Sequence, residues 1–302
     1  MYFFKKILHP FEVIEQKIKA SADCQRFEFE KFELERLILN SGKAGVQESL
    51  ISEKPVIVTL TTHGQRIYDV HLAIESIMQG TVLPNRIILW ISDKYENLKI
   101  PAFLQKQQQR GLEIKFCRDI RSYTKLIPAL QTYPDSILVT IDDDIIYPAD
   151  TLENLINAHN EFPDCVCANF IRRYPDISKG GKISILNAWP SYNNKPFTPF
   201  YGFFEGFGGV LYPVNSLHAE VFNEDFFLNV CKTADDIWFN AMSLMNDTKV
   251  VYSNTHLTPF DYLENCNVQS IGLFNKNAKG LNLNMGQLNT VYERYGLWGK
   301  LA

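Results

Sequence analysis

The chain of 302 residues is poor in the features that mark several functional classes. Its six cysteines, at positions 24, 117, 165, 167, 231 and 266, include no C-x-x-C pair. That density is too low for a disulfide scaffold, and the spacing fits no zinc module. Free thiols in a reducing compartment are the expected state. Basic residues show no surplus: the formal net charge is −4. A general nucleic-acid binder needs the opposite balance to neutralise phosphates. No apolar run approaches the roughly 18 residues that a membrane-spanning helix requires. The start, Met1 to Leu8, has neither a long apolar core nor a small-residue cleavage site, which argues against a signal peptide. The expected address is the cytoplasm, with peripheral contact at the cytoplasmic membrane face left open. Neither a Walker pattern nor a G-x-G-x-x-G run before a helix is present, and there is no internal repeat.

What is there is the apolar content of a folded chain. Hydrophobic residues make up 46%, and 21 Phe and 14 Tyr provide bulk for a core. Such a chain can bury enough surface to offset its ordering entropy.

Residues 10 to 40 read as a helix. Phe11, Ile14 and Ile18 recur at helical spacing, and Phe29, Phe32, Arg36 and Leu37 continue a similar face. Eight basic and eight acidic residues balance over positions 1 to 50. A basic membrane-surface helix would show a surplus, so packing against the main domain is favoured. Residues 41 to 45 read as a linker.

An alternation of strands and helices follows. Pro55–Leu60, Arg86–Ile91 and Ser136–Ile141 are apolar and β-branched, as buried parallel strands should be. Leu112–Phe116 alternates and belongs nearer an edge. Helices are expected over Tyr68–Gln79, Pro101–Arg110, Thr124–Gln131 and Thr151–Asn160, the last with Asp150 as N-cap and Glu153 three residues on. This order predicts an α/β fold, with a mostly parallel sheet and helices on both faces. On such sheets ligands sit at the carboxyl ends of the strands. Beyond residue 160, helices are expected over Ala234–Met245 and Leu288–Tyr295, with polar, loop-like sequence from 253 to 284.

Asp142, Asp143 and Asp144 terminate the strand at 136–141. Like charges so close repel unless a cation neutralises them. Hard Mg2+ or Mn2+ suits such oxygens, taking one or two carboxylates and completing its shell with water and phosphate. Strand alternation would let Asp142 and Asp144 converge while Asp143 points away. Asp-rich turns also end strands without any ligand, and the position after a buried strand favours function.

The run Ile137–Leu155 (ILVTIDDDIIYPADTLENL) resembles the D-x-D segment of nucleotide-sugar glycosyltransferases of the GT-A fold, in the family-2-like group of bacterial surface-polysaccharide enzymes. Val56–Trp90, with Thr61, Thr62 and Arg66, is similar to the first strand–helix–strand of their nucleotide half. Ser122–Leu126 is similar to their lysine-bearing segment, Gly202–Val210 to their glycine-rich segment beside the donor sugar, and Ala234–Trp238 to the acidic start of their acceptor-side helix.

The resemblance implies an N-terminal helical extension (1–50) before a glycosyltransferase domain (51–302), the latter divided into a nucleotide-binding half (51–160) and an acceptor-side half (161–302). It implies a nucleotide-diphosphate sugar donor, a glycan or glycolipid acceptor, and Mn2+ or Mg2+. Asp144 would hold the metal, with Asp142 sharing it or holding the ribose, and His256 completing the shell. Thr61, Thr62, Arg66, Asp93, Lys125, Asp143, Gly208 and Gly209 would serve the nucleotide sugar. Asp236, with Asp235 as alternate, would be the base of an inverting displacement. Each has a plain alternative: turn or cap residues for Thr61, Thr62, Arg66 and Asp93, an exposed lysine for Lys125, an ordinary turn for the glycines, a structural histidine for His256. Helix-start carboxylates for Asp235 and Asp236 are favoured by the dipole alone. Trp189, Tyr192 and Tyr201 could stack on a sugar, with core or loop packing the favoured reading, and Arg172 and Arg173 could grip an anionic acceptor, with a solvated face the favoured reading. Two rival functions remain open. One is a sugar-phosphate nucleotidylyltransferase, whose basic glycine-rich loop Thr61–Arg66 fits poorly. The other is a non-catalytic nucleotide- or glycan-binding module.

Overall fold

The computed structural model describes residues 2–173, 198–253, 257–258, 261–266 and 283–301. His256, Trp189 and Tyr192 lie outside them.

Eight α-helices are found among the described residues: α1 (Tyr2–Asn40), α2 (His71–Met78), α3 (Ala102–Gln108), α4 (Ile127–Thr132), α5 (Thr151–Glu161), α6 (Glu224–Val230), α7 (Asp235–Met245) and α8 (Leu283–Arg294). The strands are β1 (Val56–Thr62), β2 (Arg86–Ser92), β3 (Leu112–Cys117), β4 (Ile137–Thr140), β5 (Ile145–Ile146), β6 (Val166–Ala168), β7 (Ile171–Arg173), β8 (Gly202–Phe204), β9 (Val210–Tyr212), β10 (Val250–Tyr252) and β11 (Leu263–Glu264).

Seven strands form one sheet in the order β10-β6-β9-β4-β1-β2-β3. β4 lies at its centre and β3 at an edge, as the residue patterns predict. The β1–β2, β1–β4, β2–β3 and β6–β10 pairs are parallel. β9 runs against both β4 and β6. The fold is therefore the expected Rossmann-like α/β architecture with one reversed strand.

The period of two sorts the core into two layers. Val56, Val58 and Leu60 of β1 pack with Ile74 and Ile77 of α2 and Leu155 of α5. Ile57, on the opposite face, joins Trp238 and Phe239 of α7 and Tyr292 of α8. Burying each such side chain contributes about 1.5–3 kcal/mol, so both faces are fully engaged.

Two local expectations are corrected. Asp150 stands at the N-cap of α5 but caps no backbone amide with its side chain. It accepts instead from Asn154 at 3.1 Å, and Glu153 accepts from Thr81 at 2.6 Å. Helix α1 docks as expected, but through a different face. Phe27, Leu34 and Ile38 are buried, against Leu72, Ile146 and Leu263 in the case of the first two. Phe29 and Phe32 are 63% and 62% exposed. Both sides of this helix carry aromatics, so periodicity alone could not choose between them.

A buried ion pair fastens the connection after α1. Arg110 Nη1 donates to Glu75 at 2.8 Å, and Arg110 Nε donates to the Lys43 carbonyl at 2.7 Å. Gly45 in turn donates its amide to the Arg110 carbonyl.

Candidate active site

Five carboxylates, those of Asp142 to Asp144 and of Asp235 and Asp236, gather with one lysine at the carboxyl end of β4. The strand ends at Thr140, and the aspartates occupy the turn that follows it. Their directions are set by that turn, not by the strand alternation expected from the sequence.

Lys125 is the hub. Its Nζ lies 3.0 Å from Asp142 Oδ1 and 2.8 Å from Asp235 Oδ2. Backbone anchoring fixes it there: Thr59 Oγ1 donates to the Lys125 carbonyl at 2.7 Å, while Trp90 Nε1 donates to Thr59 Oγ1 at 2.9 Å. Burial works against a charged lysine, but Asp142, Asp235 and Asp236 outweigh it and hold the ammonium well above the ordinary range. Lys125 is therefore buried and cationic, not an exposed helix lysine.

Asp143 is fully occupied. Thr62 Oγ1 and Arg66 Nη1 each donate to it at 2.7 Å, one to either carboxylate oxygen. Arg66 Nη2 also reaches Asp144 Oδ2 at 3.1 Å. Thr62, Arg66 and Asp143 thus form an internal brace, a structural engagement for all three. Asp144 is less well compensated. Burial, then Asp142 and Asp143, outweigh Arg66 and raise its pKa to about 7. The Asp142 amide donates to the Tyr147 hydroxyl at 2.8 Å, and the Asn265 amide donates to the Asp144 carbonyl at 2.8 Å. Tyr147 and Asn265 are positioning residues that sequence reasoning missed. Tyr147 could have been suspected, because a phenol inside an apolar run needs a polar partner.

From the other half, α7 brings Asp235 and Asp236 in its first turn. The Gly206 amide donates to Asp236 Oδ2 at 3.0 Å. Burial is the largest influence on Asp236. Lys125 and the Gly206 amide oppose it, Asp235 and Asp142 reinforce it, and the carboxyl is raised to about 7. Asn240, one turn along α7, was also missed. Its side chain accepts from the Phe204 amide and donates to the Phe204 and Asp236 carbonyls, all within 2.8–2.9 Å. It staples β8 to the helix that carries the carboxylates.

The glycines divide by role. A Cβ on Gly206 would stand 2.7 Å from Asp236 Oδ1 and 3.1 Å from Lys125 Nζ, so only glycine lets the loop approach them. Gly208 faces Phe170, whose ring a Cβ would meet at 2.2 Å, and its carbonyl accepts from Asn169. Gly209 adopts φ +91°, a conformation that favours glycine. Close approach to the carboxylates thus belongs to Gly206, while Gly208 is turned into packing.

The remaining candidates lie further out. Thr61 donates to the Trp90 carbonyl at 3.0 Å. Asp93 is exposed in a short 3-10 turn after β2. Tyr201 is half-buried against the core. Arg172 pairs with Glu205 at 2.6 Å and is not a solvated face.

The donor set suits a divalent cation of the hard class. Lys125 pairs with Asp142 through Oδ1 and Arg66 with Asp144 through Oδ2, and Asp144 lacks full charge compensation. Two carboxylates are what Mg2+ or Mn2+ takes when phosphate and water complete its shell. No group of three or more His, Cys, Asp or Glu side chains arranged to hold a metal occurs among the described residues.

No protein-family model matches the chain, and no curated protein matches it. Among solved structures, the fold is similar to that of the mannosyltransferase PcManGT from Pyrobaculum calidifontis, solved in complex with GDP-Man and Mn2+. The similarity covers 95% of this chain and 82% of that chain, with 13% identity and a TM-score of 0.45.

Proposed function

We propose that this protein is a GT-A-type glycosyltransferase that moves a sugar from a nucleotide-diphosphate sugar to a glycan or glycolipid acceptor, with inversion. The observation that carries the reading is the convergence of Asp142, Asp235 and Asp236 around one buried lysine at the carboxyl end of the central strand. Ligands of open α/β sheets bind at that end, and a carboxyl raised to about 7 is suited to accept a proton near neutral pH.

In this reading Asp236 takes the proton of the acceptor hydroxyl. The hydroxyl oxygen bonds to the anomeric carbon as the bond from that carbon to the diphosphate oxygen breaks. Lys125 keeps Asp235 and Asp142 in place, and the Gly206 amide fixes one oxygen of Asp236, leaving the other for the proton. Asp144 and Asp142 would hold Mg2+ or Mn2+. When bound, that ion supplies charge neutralisation for the departing diphosphate. Arg66 keeps Asp143 out of this set. The likeness of the motifs to bacterial surface-polysaccharide enzymes favours a capsule or lipopolysaccharide glycan as product, built at the cytoplasmic membrane face.

The test is turnover of a panel of UDP-, GDP- and dTDP-sugars with Mn2+, comparing wild type with Asp144→Ala and Asp236→Asn. Release of nucleoside diphosphate that both substitutions abolish is expected. Turnover untouched by either would reject the assignment. Release of pyrophosphate from a nucleoside triphosphate and a sugar phosphate would favour a nucleotidylyltransferase instead.

A further inference from the structure

The turn that carries Lys125 is fastened at more than its lysine. Arg121–Lys125 form one 3-10 turn between β3 and α4. Its alternate residues all reach one stretch of chain, the end of α6 and the connection into α7. Arg121 Nη1 donates to the Leu228 and Lys232 carbonyls at 3.3 and 3.4 Å. The Tyr123 hydroxyl donates to the Cys231 carbonyl. Lys125 Nζ pairs with Asp235 at 2.8 Å.

Tyr123 is the middle and most buried of the three, with 0% exposure. Its ring stacks on Phe227 of α6, with centroids 4.1 Å apart, and meets Phe239 of α7 edge-on at 5.8 Å. One side chain thus touches both helices while its hydroxyl ties the connection between them. Burial, then Cys231, push the phenol up, so the hydroxyl keeps its proton to donate. The turn itself is held in place. Arg121 adopts φ +63°, uncommon for a residue with a side chain. Such a conformation persists where the surroundings over-determine it: the Arg121 amide donates to Asp119 at 2.9 Å, and the Ile120 amide to Thr124 Oγ1 at 3.2 Å. The far side of the contact is equally compact. The Cys231 thiol donates to the Ala234 carbonyl at 3.1 Å, and the Thr233 amide donates to Gln287 of α8 at 3.0 Å. A shift at the Cys231 carbonyl is therefore passed along residues 231–234 to the carboxylates that follow.

We propose that Tyr123, backed by Arg121, is a positioning residue for sugar transfer: by holding the Cys231 carbonyl it sets the first turn of α7 against Lys125, and so places Asp236 beside the acceptor hydroxyl. The proposal rests on the glycosyltransferase reading. The Tyr123 hydroxyl acts through the chain, not on the reacting atoms. Its leverage comes from the tolerance of the chemistry, since a misplacement of about 1 Å at the reacting groups can lower a rate on the order of 100-fold.

The test uses the full chain carrying Tyr123→Phe, which keeps the ring and removes the hydroxyl, in two measurements. The first is a cycle of melting temperatures with Asp235→Asn. If the tether carries to the carboxylates, the double variant loses less than the sum of the single losses, because the hydroxyl's removal has already loosened the contact of Lys125 with Asp235. Strictly additive losses would overturn the tether. Arg121→Gln, at an exposed position, takes its place in the same cycle if Tyr123→Phe does not fold. The second is steady-state turnover of UDP-, GDP- and dTDP-sugars with Mn2+. A fall in kcat of about 10- to 100-fold is expected, with the donor KM within about twofold of wild type. An unchanged kcat, or a raised donor KM alone, would overturn the positioning role, and loss of packing alone would not separate kcat from KM in this way. Wild type that turns over no donor would sink the glycosyltransferase reading, whereas the melts need no donor and decide the tether by themselves.

Discussion

Gly206 and Asp236 are matched by contact: the glycine amide donates to one carboxylate oxygen at 3.0 Å, and the other oxygen lies where a Cβ on the glycine would be, at 2.7 Å. Gly206→Ala should therefore push the loop off the helix. A loss of about 1–3 kcal/mol is expected from overpacking at a buried contact. Chemical denaturation of the variant checks this, and an unchanged midpoint would refute it.

Asp236→Asn should separate stability from activity. A carboxyl whose pKa is higher in the folded than in the unfolded chain binds its proton more tightly when folded. Its contribution favours folding at low pH and is lost as pH rises from the ordinary carboxylate range through about 7. The variant, which carries no charge at this site, should melt at a higher temperature than wild type at pH 8 and match it near pH 4. Turnover of the donor should be lost while nucleotide binding persists. Thermal melts across that range decide the first point, and an advantage that is largest at low pH would reverse the sign.

Lys125→Met removes the cation that Asp142 and Asp235 share. Leaving buried carboxylates without their partner costs about 3–5 kcal/mol. The loss should be larger at pH 8 than at pH 5, where protonation relieves part of the repulsion. Equal losses at the two pH values would argue that the lysine acts by packing alone.

Arg66→Met should make the protein lean on added cation. Without Arg66, Asp143 and Asp144 lose their shared counter-charge. The melting temperature in chelator should fall, and Mn2+ should recover more of it than in wild type, because a ligand of the folded state stabilises by mass action. A variant indifferent to Mn2+ would count against a cation at Asp144.

The strands of the first half were legible because β1, β2 and β4 are continuous apolar runs of β-branched residues, and Asp142 to Asp144 stood out by their place after such a run. β9 was not. Three residues, Val210 to Tyr212, carry too little period to signal a strand, and nothing local says that it runs backwards between β4 and β6. The partners of Lys125 were equally hidden, since Asp235 lies 110 positions away and only the tertiary fold brings it within 2.8 Å. Strand alternation set Asp143 apart from Asp142 and Asp144 but did not show what engages it. The brace from Thr62 and Arg66, which engages Asp143, depends on the turn following β1 and has no signature in spacing. The docking face of α1 was misread because Phe27 and Phe29 look alike in composition and lie on opposing sides.

Being reversed, β9 spends the hydrogen bonds of both its edges on neighbours of opposite polarity, and Gly206–Gly209 lead straight into it. It can creep along neither neighbour without breaking the other ladder. An insertion or deletion of one residue within 210–212 would turn Leu211 from one layer to the other and carry the glycines away from α7. Length changes should be tolerated in the loops of this chain long before they are tolerated in this short segment, which acts as the ruler between its two halves.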